Sequence, residues 1–291
     1  MRIRTLLSVI GILCVAAVSA QAYRLAFSDP PGTERNYKAD ITMKGSADVL
    51  GISVPLGSTV TMTMAEKVLT KNADGTSSIS FAVKDGKMMA TAQMPGDDDP
   101  TTKTQPLNFS MTYNRTPAGK VSNLKMIATP GGGADLLSAG MGNEVQYPGQ
   151  GVQFPDKELN IGDAWDTNQQ IEPFPGVKVT MKQTNTLTGV KTINGKTFLL
   201  ISSDLSATAK DVKVNMTLPG TTGTGASDAQ QLTLGMTITG SSTAQFNAQA
   251  GELGDENFTL NIDLNMQVGG ADVGVNSKMT MTATGKMLRV K

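Results

Sequence analysis

The chain has 291 residues, no histidine, one cysteine, and 25 basic residues against 25 acidic ones. Histidine and cysteine carry most acid–base catalysis near neutral pH, thiol nucleophilicity and zinc ligation, so those chemistries lose their usual carriers, and no cofactor is expected. Balanced charge offers no basic field for nucleic acid, and a lone cysteine gives no disulfide framework, so stability must come from a packed core.

In chain order, the first feature is an export signal. Arg2 and Arg4 precede a largely apolar run from Leu6 to Val18, too short to span a bilayer, and Ala20-Gln21-Ala22 places small residues at a signal-peptidase site. Residues 1–22 are predicted to be a signal peptide cut before Tyr23, sending the chain to the periplasm or the extracellular space. Cleavage removes Cys14 and leaves 23 basic against 25 acidic residues. No later segment is apolar for long enough to form a transmembrane helix. With 4% aromatic residues the chain also lacks the material for the two interfacial girdles of a membrane barrel, so a soluble protein is expected.

The remainder divides into a first β-half, residues 23–145, and a second, residues 146–291, which includes the closing C-terminal strands. Period-two alternation runs through Val60 to Met64 and Leu107 to Tyr113 in the first half, and through Val212 to Leu218, Leu232 to Ile238, Phe258 to Val268 and Val273 to Ala283 in the second. Such alternation puts one face in a core and the other in water, which predicts half-buried antiparallel strands. Asp74-Gly75, Asp85-Gly86 and Asn194-Gly195 supply residues that tolerate positive φ, and each is predicted to turn a hairpin. Between the halves, 134–145 follows Gly131-Gly132-Gly133 and predicts a short helix weakened by Gly140 and Gly142. The polar stretches Pro95–Pro100 and Pro219–Asp228 read as loops. Asp97 to Asp99 could attract Ca²⁺, but lack the spaced ligands of a calcium loop and fit a solvated hairpin tip better.

The two halves echo each other. Val60 to Met64, Asp74-Gly75, Ile79 to Val83 and Ala90 to Ala92 correspond to Val179 to Met181, Asn194-Gly195, Phe198 to Ile201 and Ala207 to Ala209. Farther along, Tyr113 to Val121 around Gly119 corresponds to Phe246 to Leu253 around Gly251. The fold expected is a mainly β, duplicated protein of strongly curved antiparallel sheets, a half-barrel or unclosed barrel, with one or two short helices.

Phe154-Pro155-Asp156 followed by Ile161-Gly162-Asp163-Ala164-Trp165 resembles the FP…GDxW segment of an uncharacterised family of bacterial secreted or lipoprotein-type β-proteins. The architecture resembles LolA/LppX-type unclosed barrels, which implies an apolar cavity and a lipid or lipoprotein cargo.

Seventeen methionines against eight phenylalanines, four tyrosines and one tryptophan leave thioethers to do much of the work of aromatics. Met62 and Met64 share a strand face, as do Met279 and Met281, and Met236 and Met266 lie on the apolar faces of their own strands. These six fit a core or the adaptable lining of an apolar ligand site. Paired thioethers also suit Cu(I), a minor alternative, although no metal site is assigned. Trp165 and Gly162 are read as structural. Asp163 and Asp166 flank Trp165 but have no sugar-stacking aromatics around them to support glycosidase chemistry. The function expected is non-catalytic: binding an apolar, lipid-like molecule or a protein partner in the concavity of a curved sheet. The alternative is a structural or surface-assembly component without ligand.

Overall fold

A computed structural model of the chain describes residues 21–49, 51–93, 99–128, 152–174, 177–216, 230–269 and 275–290. The signal segment before residue 21, the helix expected over 134–145, most of the loop at 95–100 and the loop at 219–228 lie outside them. No helix occurs among the described residues.

The predicted alternation becomes one large antiparallel sheet. The first half supplies β2 (Glu34–Val49), β3 (Ile52–Lys71), β4 (Ser77–Ala92), β5 (Thr101–Arg115) and β6 (Val121–Ala128). The second supplies β8 (Ala164–Phe174), β9 (Val177–Ile193), β10 (Lys196–Met216), β11 (Gln230–Asn247), β12 (Glu252–Gly269) and β13 (Val275–Val290). Each half is a meander of neighbouring hairpins. The last strand returns to the first, Ser277 opposite Val49 through Val290 opposite Asn36, giving eleven strands in the order 6-5-4-3-2-13-12-11-10-9-8. The sheet is not closed, and β6 and β8 are its edges. Two short strands, β1 (Tyr23–Arg24) and β7 (Glu158–Leu159), pair separately.

Bulges interrupt the long strands. Asp85-Gly86 is not a hairpin turn but a bulge inside β4: Val83 stays opposite Phe109 and Gly86 opposite Leu107, while Asp85 takes φ 53°. A residue with positive φ inserted into one strand uses the same local chemistry as a tight turn while both flanks remain paired. In β10, Asp211 at φ 50° lies in a similar bulge between Ala209 and Val212. Asp74-Gly75 and Asn194-Gly195 do turn hairpins, β3 into β4 and β9 into β10.

One end of the sheet is covered by the stretch before β2. The Phe27 N–H donates to the Pro117 carbonyl, Ser28 N–H to Gly251 and Phe154 N–H to Ala118. The stretch thereby ties the β5–β6 turn to the β11–β12 turn. Gly119 and Gly251 allow this approach, since both have positive φ and a Cβ would lie 2.5 Å from the Val152 carbonyl oxygen or 2.3 Å from Ser28 N. Beneath this cover Phe27, Phe154 and Phe246 pack with ring centroids 4.7 to 5.7 Å apart, joined by Leu25, Leu159, Trp165, Leu187 and Leu199. A second buried cluster lies on the first half around Ile79, Phe81, Met111 and Tyr113, and a third on the second half around Val177, Leu234 and Leu264.

Candidate functional site

The inner face of each strand follows from its parity. On β3 the inward positions are Val60, Met62, Met64, Glu66 and Val68; on β2 they are Arg35, Tyr37, Ala39, Ile41 and Met43, with Tyr37 opposite Met64 and Ala39 opposite Met62. These positions meet at a cavity of about 80 Å³. Its base holds Phe27, Arg35, Glu66, Arg115, Glu252 and Glu256, and Ile41, Met62, Phe258 and Met287 line its half-buried rim. Phe109 comes from β5, whereas Glu256 and Phe258 come from β12, five strands away in the sheet order. In a flat sheet those strands would stand about 24 Å apart, so the sheet curls until both line one space.

Four charged groups of the base, Asp29, Arg35, Glu66 and Arg115, engage one another, although Arg35 Nε makes no hydrogen bond. Buried Arg35 donates through Nη1 to Asp29 Oδ1 at 2.9 Å and Glu66 Oε1 at 2.6 Å, and through Nη2 to the Ser28 carbonyl at 2.8 Å. Arg115 reaches Asp29 at 2.8 and 3.1 Å and Glu66 at 3.0 and 3.1 Å, with its guanidinium 4.4 Å from the Phe27 ring centroid. The Tyr113 hydroxyl donates to Glu66 Oε2 at 2.8 Å. Burial works to raise the pKa of Glu66, but Arg115 and Arg35 overcome it and hold the carboxyl below its usual range. Two guanidiniums and two carboxylates therefore cancel.

Glu256 is different. It is 5% exposed, its hydrogen-bonding contact is the Ser242 hydroxyl, and no cation lies within ion-pair distance among the described residues. Burial, only partly opposed by Ser242, pushes its pKa up to about 7. Glu252, nearer the surface, faces Arg35 Nε at 3.5 Å and Arg289 Nη2 at 3.6 Å.

Beyond the rim the inner face continues as a trough of about 510 Å³ lined by Met43, Gly45, Leu56, Ser58, Ala90 and Met281 among others. Of the six methionines singled out from sequence, Met62 and Met64 line the cavity and Met281 the trough. Met236, Met266 and Met279 belong to the third cluster, on the second half. Trp165 is buried at 7% exposure in the aromatic cluster, its Nε1 donating to the Gln153 carbonyl at 2.6 Å. Gly162, at φ 97°, makes the turn into β8, with its N–H on the Leu187 carbonyl; Asp163 returns an acceptor to the Asn160 N–H. Asp166 accepts from the Thr184 hydroxyl. The Gly-Asp-x-Trp segment is thus a structural corner.

A second buried polar group, which the sequence patterns do not mark, lies in the second half. On β9 and β10, Gln183 Nε2 and Ser203 Oγ both donate to Asn185 Oδ1, at 2.9 and 2.6 Å.

No family model matches the chain, and no curated protein matches it in sequence. Similar solved structures include OccK7 (OpdD) of Pseudomonas aeruginosa, 8% identical over 89% of this chain and 100% of that one at TM-score 0.28. OpdQ of the same organism is 8% identical over 89% and 99% at TM-score 0.24, and a Rh. blastica porin mutant 10% identical over 88% and 100% at 0.16. At these TM-scores the likenesses carry no argument, and the fold rests on its own strand pairing.

Proposed function

We propose that the chain is an exported, non-catalytic binding protein that holds an apolar molecule in the concave face of a half-barrel. The observation that carries this reading is that the methionine- and phenylalanine-lined cavity and the trough follow one another along the same strands of the inner face, Ile41 and then Met43 on β2, Met62 and then Ser58 on β3. Volume decides how a ligand would sit: about 80 Å³ accepts only a small group, whereas the trough of about 510 Å³ can take an alkyl chain. The ion cluster favours binding over catalysis, because Arg35 and Arg115 are ion-paired with both Asp29 and Glu66. An open sheet with edges at β6 and β8 also suits water better than lipid, where unpaired backbone groups are costly.

The same reading takes the halves as a duplication. Its support is the bulge pattern: Leu69 in β3 and Thr188 in β9, Asp85 in β4 and Asp211 in β10, and the irregularities at Thr112/Asn114 and Ala244/Phe246 fall at corresponding places. The LolA/LppX-type resemblance and the predicted signal peptide agree with a lipid-like cargo in the envelope or outside the cell. Native mass spectrometry of protein purified from its own host tests the reading. A co-purifying apolar small molecule is expected, and an empty protein that also fails to bind decan-1-ol would overturn it. The assembly alternative draws on the unpaired edges, and predicts concentration-dependent oligomers that a proline placed in an edge strand would abolish, because it removes a backbone donor.

A further inference from the structure

Resting on that binding reading, we infer that the ligand is a cationic amphiphile whose ammonium head sits against Glu256 while its alkyl tail lies along the trough of Met43, Leu56 and Met281. The argument begins with charge. Arg35 and Arg115 are matched by Asp29 and Glu66, and Glu252 stands between Arg35 and Arg289. That leaves Glu256 as the one carboxyl lining this cavity that has no counter-charge among the described residues. A carboxylate out of water is costly unless a cation meets it, so a cation entering the cavity gains a partner that the protein does not provide.

The walls suit the same guest. Phe258 and Phe81 line the cavity, and aromatic rings attract ammonium groups. Phe258 lies over Gly285 on β13, where a Cβ would come within 2.2 Å of its ring, so the glycine lets the phenylalanine lie close on the sheet beside the carboxyl. Size agrees as well: about 80 Å³ takes a primary ammonium with its first few carbons. Along β13, Met287 stands opposite Glu256 and Met281 lies six residues on, roughly 20 Å away, which gives the tail its length. At the base of the cavity an anionic head would face the unpaired carboxyl, while both Nη atoms of Arg35 and the three nitrogens of Arg115 are already hydrogen-bonded; Arg35 Nε, which makes no hydrogen bond, stands 3.5 Å from Glu252, and the cations Lys44 and Lys103 lie out along the trough rather than at this base.

The groups around Glu256 assign the pH window. β11 contributes Ser242 and Ala244, and β13 contributes Met287 and Arg289. Across the cavity stand Arg35 and Tyr37 on β2, Glu66 on β3 and Arg115 on β5, with Glu252 on its own strand. Arg35, Arg115 and Tyr37 titrate above the neutral range and Glu66 below it.

The test is calorimetry of the full exported chain with decylammonium, decan-1-ol and decanoate, each below its micelle threshold. At pH 8 decylammonium should bind at least tenfold more tightly than decanoate, and lowering the pH to 5.5, where Glu256 is protonated, should shrink that preference severalfold. Glu256→Gln should remove the preference while leaving decan-1-ol affinity within about twofold. Equal or tighter binding of decanoate, or a preference that survives Glu256→Gln, overturns the inference. Should that variant not fold, the wild-type pH dependence decides alone, a flat preference overturning it. Decan-1-ol binding without an ammonium preference defeats this inference only, whereas no binding of any of the three probes defeats the binding reading as well.

Discussion

In the first half the base of the concave face is closed by charge, with Arg35 and Arg115 held between Asp29 and Glu66, whereas in the second it is closed by the packed rings of Phe154, Trp165 and Phe246. The glutamates record the difference. Glu66 and Glu256 are comparably buried on the same inner face, yet Glu66 is held below its usual proton affinity and Glu256 is pushed up to about 7. Burial alone raises both. What separates them is a pair of guanidiniums, so the ion cluster is a sealed structural element, and the open question of binding moves to the carboxyl that lacks one.

The largest effects should come from breaking the two bases. Arg115→Met removes four hydrogen bonds from Asp29 and Glu66 while leaving Arg35 as the one cation between the two buried carboxyls. A loss of about 3–5 kcal/mol is expected in urea denaturation. A loss below about 1 kcal/mol would show that water already reaches the cluster. The matching change in the second half, Trp165→Ala, opens a cavity beside Phe154 and orphans the Gln153 carbonyl, and should cost about 3–5 kcal/mol. Native Trp165 emission should be blue-shifted and move red on unfolding. Emission of water-exposed indole in the folded protein would contradict its burial.

Next in size is the pH dependence, where the two glutamates act with opposite sign. The carboxyl of Glu66 has a lowered folded pKa, so its contribution is present above the ordinary carboxylate range and is lost as pH falls through the folded value. That of Glu256 has a folded pKa raised from 4.5 to about 7, so its contribution is complete below 4.5 and is lost as pH rises through 7. The second effect amounts to about 3 kcal/mol. Wild-type stability should therefore decline between pH 4.5 and 7, and Glu256→Gln should flatten that limb while leaving the acid limb in place. An unchanged decline between pH 4.5 and 7 in the variant would assign it to another group.

The strands were legible because alternation is a strong signal over many residues: Phe258 to Val268 lies within β12 and Leu107 to Tyr113 within β5, as their patterns require. The Asp85-Gly86 bulge was not, because a bulge and a hairpin ask for the same positive-φ residue, and only the partner strand distinguishes them. The ion cluster was legible in principle. Glu66 continues the inward series Val60, Met62, Met64; Arg115 continues Phe109, Met111, Tyr113; and Glu256 opens the series of Phe258 and Leu260. A charge at an inward position of an alternating strand marks a buried ionic site, but its partners lie on strands distant in sequence, so neither the pairing nor the lack of one could be read along the chain. The methionines were placed on their faces by parity, yet their division between cavity, trough and third cluster depended on how the sheet curls.

The smallest expected effect sharpens the comparison at that division. Replacing Met62, Met64, Met279 and Met281 together by Leu keeps volume and hydrophobicity nearly constant, so each site should cost less than about 1.5 kcal/mol. Met62 and Met64 line the cavity while Met279 packs in the third cluster, so alkyl-probe affinity should respond to the first pair and not to Met279. Thioether coordination would behave otherwise, since leucine cannot ligate Cu(I) and affinity would collapse with the fold intact. Titrating the wild type and the fourfold variant with Cu(I) and with decan-1-ol separates these cases. Retained alcohol binding with no Cu(I) binding in either protein is the expected result, and tight Cu(I) binding confined to the wild type would replace the apolar reading with a metal site built from both halves.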